Sequence, residues 1–161
     1  MIFKRLRSLL LPLAVCLPLG ALAGPYSSLF VFGDSLSDSG NNYLAGAYDP
    51  TQSVSGNMYI PSYTYDRGTN TFGTYSNGPT WVSSFASALG LNVLPSLLGG
   101  TNYAFGGAQT SIDGPPQTGG FPYSLTTQVG QFLGGLSGPA DSGALYVVAG
   151  GGNNARAAAA A

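Results

Sequence analysis

The sequence predicts an α/β fold built on a parallel sheet, and three observations lead to that prediction. An apolar run at residues 28–32 ends at a glycine, and a second apolar run at 144–149 ends in a glycine-rich segment. Neither run alternates between apolar and polar residues, which is typical of strands covered on both faces. Between the two runs lie segments whose apolar residues recur at helical spacing. Strands that alternate with helices favour a parallel sheet with helices on both faces.

The N-terminus has the features of a secretory signal peptide. Three basic residues within the first seven precede an apolar stretch at 9–19, and Ala-Leu-Ala follows at 21–23. This small-x-small pattern is typical of a signal-peptidase site, and the apolar stretch is short for a membrane span. We therefore expect cleavage after Ala23, with residues 1–23 as the signal peptide. Residues 24–161 would then be one exported domain without a transmembrane segment, in an extracellular, periplasmic or cell-surface location.

The composition argues against several classes of function. After residue 23 the chain has no cysteine, and two arginines face six aspartates, which gives a net charge of −4. The sequence contains no histidine. We therefore expect no metal, no other cofactor and no nucleic-acid partner. A lipoprotein alternative would use Cys16, but Val15 is a poor neighbour for that processing.

The first half of the predicted domain holds one strand, one long loop and one helix. The strand at 28–32 is followed by turn-forming residues at 39–42. Residues 43–77 form a loop rich in tyrosine, serine and glycine, and loops of this length are usually functional or disordered. Its tyrosines would line a ligand pocket or pack on one another. A helix then starts with Pro79 in its first turn and stops at Gly90, and its predicted core residues are Trp81, Phe85 and Leu89.

The second half alternates short strands with two helices. Residues 92–98 and 102–105 are predicted strands, and 113–122 is a loop rich in proline and glycine. A helix is predicted from Leu125, with Gly134 and Gly135 ending the pattern. After the strand at 144–149, an alanine-rich helix is expected from residue 155, with Asn153 or Asn154 as its N-cap.

Residues 30–42 carry the most informative motif, F-V-F-G-D-S-L-S-D-S-G-N-N. Ser35 follows a glycine hinge at the end of a buried strand, a position that exposes a nucleophilic hydroxyl. A serine that only caps a helix is the alternative interpretation. The segment resembles the first sequence block of the GDSL, or SGNH, family of serine esterases and lipases, with Ser35 as the matching nucleophile.

Three further segments resemble this family in the same order: Y-S-N-G-P-T-W-V at 75–82, N-Y-A-F-G-G-A at 102–108 and G-G-N-N at 151–154. The resemblance implies an oxyanion hole formed by the Ser35 N–H, the Gly107 N–H and the Asn153 amide, with Gly106 as the alternative to Gly107. The alternative interpretation is purely structural: the two glycines would form only a tight turn, and Asn153 would only cap a helix. Asn154 stands where the family has an aspartate. Supporting residues are Gly33, Asp34, Asp38 and Gly151, of which Asp38 is expected to be a turn or cap residue and not a catalytic acid.

The family's D-x-x-H block, which supplies the catalytic aspartate and histidine, has no counterpart in these 161 residues. A serine hydroxyl needs a base to take its proton near neutral pH. Asp34 belongs to the first block and is not expected to replace that base. We therefore expect the sequence to be a truncated part of a longer product, inactive as an esterase by itself.

The resemblance implies a three-layer α/β/α sandwich that lacks its C-terminal part. The implied function is hydrolysis of carboxylic esters through an acyl-enzyme, with a small-molecule or lipid ester as the partner. Acyl transfer to another alcohol would use the same residues. A different alternative is a non-catalytic exported domain that binds carbohydrate or a cell surface. A D-x-x-H block further along the reading frame would favour the enzyme.

Overall fold

The computed structural model describes residues 24–45, 74–76 and 79–161. The predicted signal peptide and most of the tyrosine-rich loop lie outside the described residues. Within the described part, no helix combines the length and apolar character needed to cross a membrane.

Two parallel strands form the sheet in the described residues. Strand β1 (Leu29–Gly33) pairs with strand β2 (Leu145–Ala149) in parallel, with Leu29 opposite Leu145 and Gly33 opposite Ala149. Both strands were predicted from their apolar runs, and each lies within one residue of its predicted position. The α/β class and the parallel pairing are therefore confirmed.

The other edge of β1 pairs with the segment predicted as a strand at 102–105. The Val31 N–H donates to the Thr101 carbonyl at 3.0 Å, and the Tyr103 N–H donates to the Val31 carbonyl at 2.7 Å. These bonds make a parallel bridge at Asn102 and not a full strand. Strand β1 thus lies in the middle, with β2 on one side and this extended segment on the other.

The predicted strand at 92–98 is wrong. Pro95 makes a single bridge to Asn102, and Ser96–Leu98 form one 3-10 turn that ends at Gly99, where φ is +77°. The physical reason is that the chain turns back on itself after the bridge, because the N–H groups of Leu98 and Gly100 both donate to the Pro95 carbonyl at 3.0 Å. Leu97 and Leu98 are exposed, so the apolar run does not mark a covered strand.

The described helices lie between and after these strands. They are α1 (Asn41–Leu44), α2 (Trp81–Ala88), α3 (Leu125–Gly134) and α4 (Gly152–Ala159), and a second 3-10 turn spans Pro116–Thr118. Helices α2 and α3 were predicted from apolar periodicity and are confirmed. Helix α1 was not predicted, and its first two residues were wrongly assigned to a turn.

The boundaries of α2 and α4 also differ from prediction. Thr80 is the N-cap of α2, so Pro79 lies before the helix and not in its first turn. Trp81 is 43% exposed, so it is not a core residue. In α4 the N-cap is Gly151, with φ of +107°, and Asn153 and Asn154 lie inside the first turn. A positive φ of this size favours glycine over asparagine as the cap.

The two faces of β1 contact different helices. Leu29 and Val31 pack with Val82 and Ala86 of α2 in one buried cluster. On the opposite face, Phe30 and Phe32 contact the Phe132 ring of α3, with ring centroids 4.8 and 5.6 Å apart. Side chains alternate across a strand, so helices α2 and α3 lie on opposite sides of β1.

Candidate active site

The motif segments meet at the carboxyl edge of the sheet. Three of these segments each follow one strand or extended segment: the first motif segment, 34–38, follows β1, the second, 105–108, follows the extended segment, and the third, 150–154, follows β2. From β1 the chain reaches one neighbour and then returns to the other side of β1, so the strand order reverses there. Such a switch point outside the carboxyl ends of parallel strands is where α/β proteins bind ligands.

Ser35 lies in a single helical turn directly after β1. The Asp34 carbonyl accepts the N–H groups of Ser37 and Asp38, both at 3.0 Å, and the Asp34 carboxylate accepts the Leu36 N–H at 3.1 Å. Ser35 itself is half-buried. Within the described residues, neither its N–H nor its hydroxyl has a hydrogen-bond partner.

Gly33 is required by the close approach of β2. A Cβ at this position would lie 2.8 Å from the Ala149 carbonyl oxygen and 3.2 Å from the Ser37 side chain. The lower of these distances is one that real side chains do not adopt. Glycine therefore lets the two strand ends converge immediately before Ser35.

Asp38 binds the loop after β1 to the second motif segment. Its buried carboxylate accepts N–H groups from Gly40 at 2.8 Å, Asn41 at 2.7 Å, Asn42 at 3.3 Å and Gly106 at 2.9 Å. Burial raises the pKa of Asp38, while these four N–H groups favour the ionised form and act in the opposite direction. The carboxylate thus accepts the N–H groups of the first two residues of α1.

Two buried asparagines join the same segments from the other side. The Asn41 amide donates to the carbonyls of Asn102 at 2.8 Å and Ala104 at 3.0 Å. The Asn102 amide donates to the Ser37 carbonyl at 2.7 Å. The turn that carries Ser35 is therefore fixed to the second segment by backbone and side-chain groups together.

The structure distinguishes the two candidate oxyanion glycines. The Gly106 N–H is used by Asp38, and a Cβ on Gly106 would overlap the Tyr75 ring. Gly107 is exposed, has φ of +85°, and its N–H has no partner within the part of the chain that the structure describes. Of the two N–H groups, only that of Gly107 is available to a ligand.

Asn153 connects the third motif segment to the second. Its side-chain amide donates to the Ala108 carbonyl at 2.8 Å, one residue from Gly107. An amide nitrogen carries two N–H groups, so one remains after this bond. Asn154 has a different role, because its amide oxygen accepts the Thr110 N–H at 2.9 Å. Gly151 starts the helix that carries both asparagines.

Gln128 contacts the site and was missed by the sequence analysis. It is fully buried on α3, and its amide accepts the Gly33 N–H at 2.8 Å and donates to the Gly33 carbonyl at 2.9 Å. The sequence offers one signal for it. A glutamine lies on the apolar stripe of α3, between Leu125 and Phe132, where a polar side chain needs hydrogen-bond partners.

Comparison with known proteins shows the family of the chain and one similar protein. The family model described as GDSL-like Lipase/Acylhydrolase matches residues 29–159, so the chain belongs to that family, as its motifs indicate. The chain is also similar to Lipase 1 of Photorhabdus luminescens, with 33% identity over 138 residues. This match covers 84% of the chain but only 17% of the length of that lipase. Both findings support an ester-hydrolase function at the level of the family.

Proposed function

We propose that this chain supplies the nucleophile and the oxyanion donors of a serine ester hydrolase. One observation carries the proposal. The three motif segments lie at one edge of the sheet and are joined by the Asp38–Gly106 and Asn153–Ala108 hydrogen bonds. At that edge the N–H groups of Ser35 and Gly107 have no partner among the described residues.

The reaction follows from these positions. The Ser35 hydroxyl attacks the ester carbonyl and gives its proton to a base. The Ser35 N–H, the Gly107 N–H and the second Asn153 N–H hold the developing oxyanion. The alcohol then leaves with a proton, and water attacks the acyl-enzyme to release the acid and free Ser35.

The general base is proposed to lie outside these residues. The sequence has no histidine, and the Asp34 carboxylate already accepts the Leu36 N–H within the serine turn. We place the base in a D-x-x-H block of a longer polypeptide, with further α/β units that complete a three-layer sandwich. The helices on both sides of β1 support that architecture.

The substrate is proposed to be a carboxylic ester, either a small molecule or a lipid, met after export from the cell. The basic start and the Ala-Leu-Ala segment at 21–23 support export. Residues 24–161 would form the hydrolase domain, and no cofactor takes part in the chemistry as written.

A serine-reactive fluorophosphonate tests the nucleophile directly. The probe should label the full-length polypeptide at Ser35, as located by peptide mass mapping, and Ser35→Ala should abolish labelling and ester turnover together. Ser37→Ala is the matched control, because Ser37 lies in the same turn but is buried, with its hydroxyl accepting the Trp81 indole N–H at 3.2 Å. Labelling that survives Ser35→Ala would place the reactive residue elsewhere and contradict the proposal. Absence of labelling in the wild type would favour the non-catalytic binding domain.

A further inference from the structure

At the end of β1, the backbone groups of Gly33 form hydrogen bonds with a side chain. Gly33 is the last residue of β1, paired in register with Ala149. Its N–H does not donate to a neighbouring strand but to the Gln128 side-chain oxygen at 2.8 Å. Its carbonyl accepts both the Phe105 N–H at 3.1 Å and the Gln128 amide at 2.9 Å. Gln128 thus holds both polar groups of the residue that precedes the serine turn.

The Gln128 amide is itself fixed. It is 0% exposed, and its nitrogen also donates to the Tyr123 carbonyl at 2.8 Å. Ser124 caps the first turn of α3 by accepting the Thr127 N–H, and Phe132 anchors the helix against the aromatic face of β1. The side chain that binds Gly33 is therefore held by its own hydrogen bonds and by a helix that is capped and packed against β1.

We infer that Gln128 is a positioning residue for Ser35. Ser35 is two residues after Gly33, and the turn that carries it starts at the Asp34 carbonyl. Rotation of the peptide groups around Gly33 would move the Ser35 hydroxyl and the Ser35 N–H together, so the nucleophile and one oxyanion donor would lose alignment at once. This inference rests on the proposed function of Ser35.

Two substitutions in the full-length polypeptide test it. Gln128→Met keeps the length of the side chain but removes all three hydrogen bonds. Gln128→Glu keeps an acceptor for the Gly33 N–H, and the introduced carboxyl can donate to a carbonyl only when it is protonated. Phe132→Leu is the matched control, since it weakens the packing of the same helix and leaves the Gln128 bonds in place.

The expected result is a loss in kcat with little change in KM. A displaced nucleophile costs about a hundred-fold in rate, so Gln128→Met should lower kcat and fluorophosphonate labelling by about that factor. Gln128→Glu should be slow at neutral pH, and its labelling rate relative to the wild type should rise as the pH falls and the carboxyl is protonated. Phe132→Leu should lower Tm but keep kcat near the wild-type value.

The opposite results would overturn the inference. These are a wild-type kcat in a folded Gln128→Met, a Gln128→Glu ratio that does not change with pH, or an equal loss of kcat in Phe132→Leu. If Gln128→Met does not fold, the test depends on whether the labelling rate of Gln128→Glu, relative to the wild type, rises as the pH falls. Failure of both variants to fold, beside a folded Phe132→Leu, would make Gln128 a residue of the fold alone. Activity that survives Ser35→Ala would contradict the proposed function separately from any Gln128 result.

Discussion

At the scale of single residues, the carboxyl edge of the sheet is held by buried polar side chains. Four buried side chains bind backbone groups in or near the serine turn and in the neighbouring extended segment: Asp38, Asn41, Asn102 and Gln128, each 0% exposed. Removing one of these side chains leaves buried N–H or carbonyl groups unpaired, at a cost of about 1–3 kcal/mol each. These hydrogen bonds therefore help to keep the N–H groups of Ser35 and Gly107 in place.

Asn153 and Asn154 give a residue-scale prediction that separates an oxyanion donor from its neighbour. In the full-length polypeptide, Asn153→Ala should lower kcat roughly a hundred-fold or more, the loss typical of one removed donor. Asn154→Ala should have a much smaller effect on kcat, because that side chain holds the Thr110 N–H. Steady-state kinetics with a short-chain aryl ester measures both. A larger loss in Asn154→Ala would mean that the third motif is shifted by one residue.

At the scale of elements, the helix that carries Gln128 is fixed at its N-terminus by a carboxylate. Asp113 accepts the Ser124 N–H at 2.6 Å and the Thr127 hydroxyl at 2.8 Å. Partial burial acts to raise the pKa of Asp113, but these hydrogen bonds outweigh it and hold the pKa below its ordinary value of 3.8. The loop at 113–122 is thereby joined to the first turn of α3.

The lowered pKa of Asp113 predicts an acid-dependent loss of stability. A carboxyl with a lowered folded-state pKa stabilises the fold above its ordinary pKa, and the stabilisation is lost as pH falls through the lowered value. Asp113→Asn should reduce the free energy of unfolding at pH 7 by about 1 kcal/mol or less, since exposed interactions are weak. Below pH 3.8 the difference between the two proteins should shrink. Urea unfolding across pH 2–7 measures the difference, and a gap that widens in acid would contradict this assignment.

The elements predicted correctly are those whose information is local. Strand β2 and helix α3 follow from apolar runs and periodicity, whereas the roles of Ser35 and Gly107, inferred from short motifs, stay predictions. The strand at 92–98 was wrong because an apolar run does not reveal exposure, and Leu97 and Leu98 are exposed. The prediction that Trp81 is a core residue was wrong for the same reason. The apolar stripe of α3 indicates that Gln128 needs hydrogen-bond partners, but it does not identify Gly33, which lies 95 positions away.

At the scale of the whole molecule, β2 has one partner and one open side in the described residues. It pairs with β1 alone, and Val148 is 62% exposed. Leu145 and Val147 are only partly buried against the α2 cluster. An unpaired edge with exposed apolar residues is a site for pairing with another strand. This edge is where the proposed completion of the sheet would begin.

Export predicts a defined mature N-terminus. If residues 1–23 are removed by a signal peptidase, N-terminal sequencing of the secreted protein should begin at Gly24. Ala23→Arg should block the cleavage, because the site needs a small residue at that position. A secreted wild-type protein that retains the basic residues before position 8 would contradict this prediction.

The lack of a histidine predicts that Gly24–Ala161 alone is a very poor esterase even when folded. General-base assistance contributes about two to four orders of magnitude to the rate, and we expect a loss of at least that size relative to the polypeptide extended to the end of its reading frame. The open edge of β2 should also make the shorter protein less stable and more prone to aggregate. Turnover of a short-chain aryl ester by the two proteins, each beside its Ser35→Ala control, measures the difference. Comparable Ser35-dependent rates in both would show that the base lies within these 161 residues, and the proposal of an external D-x-x-H block would then be wrong.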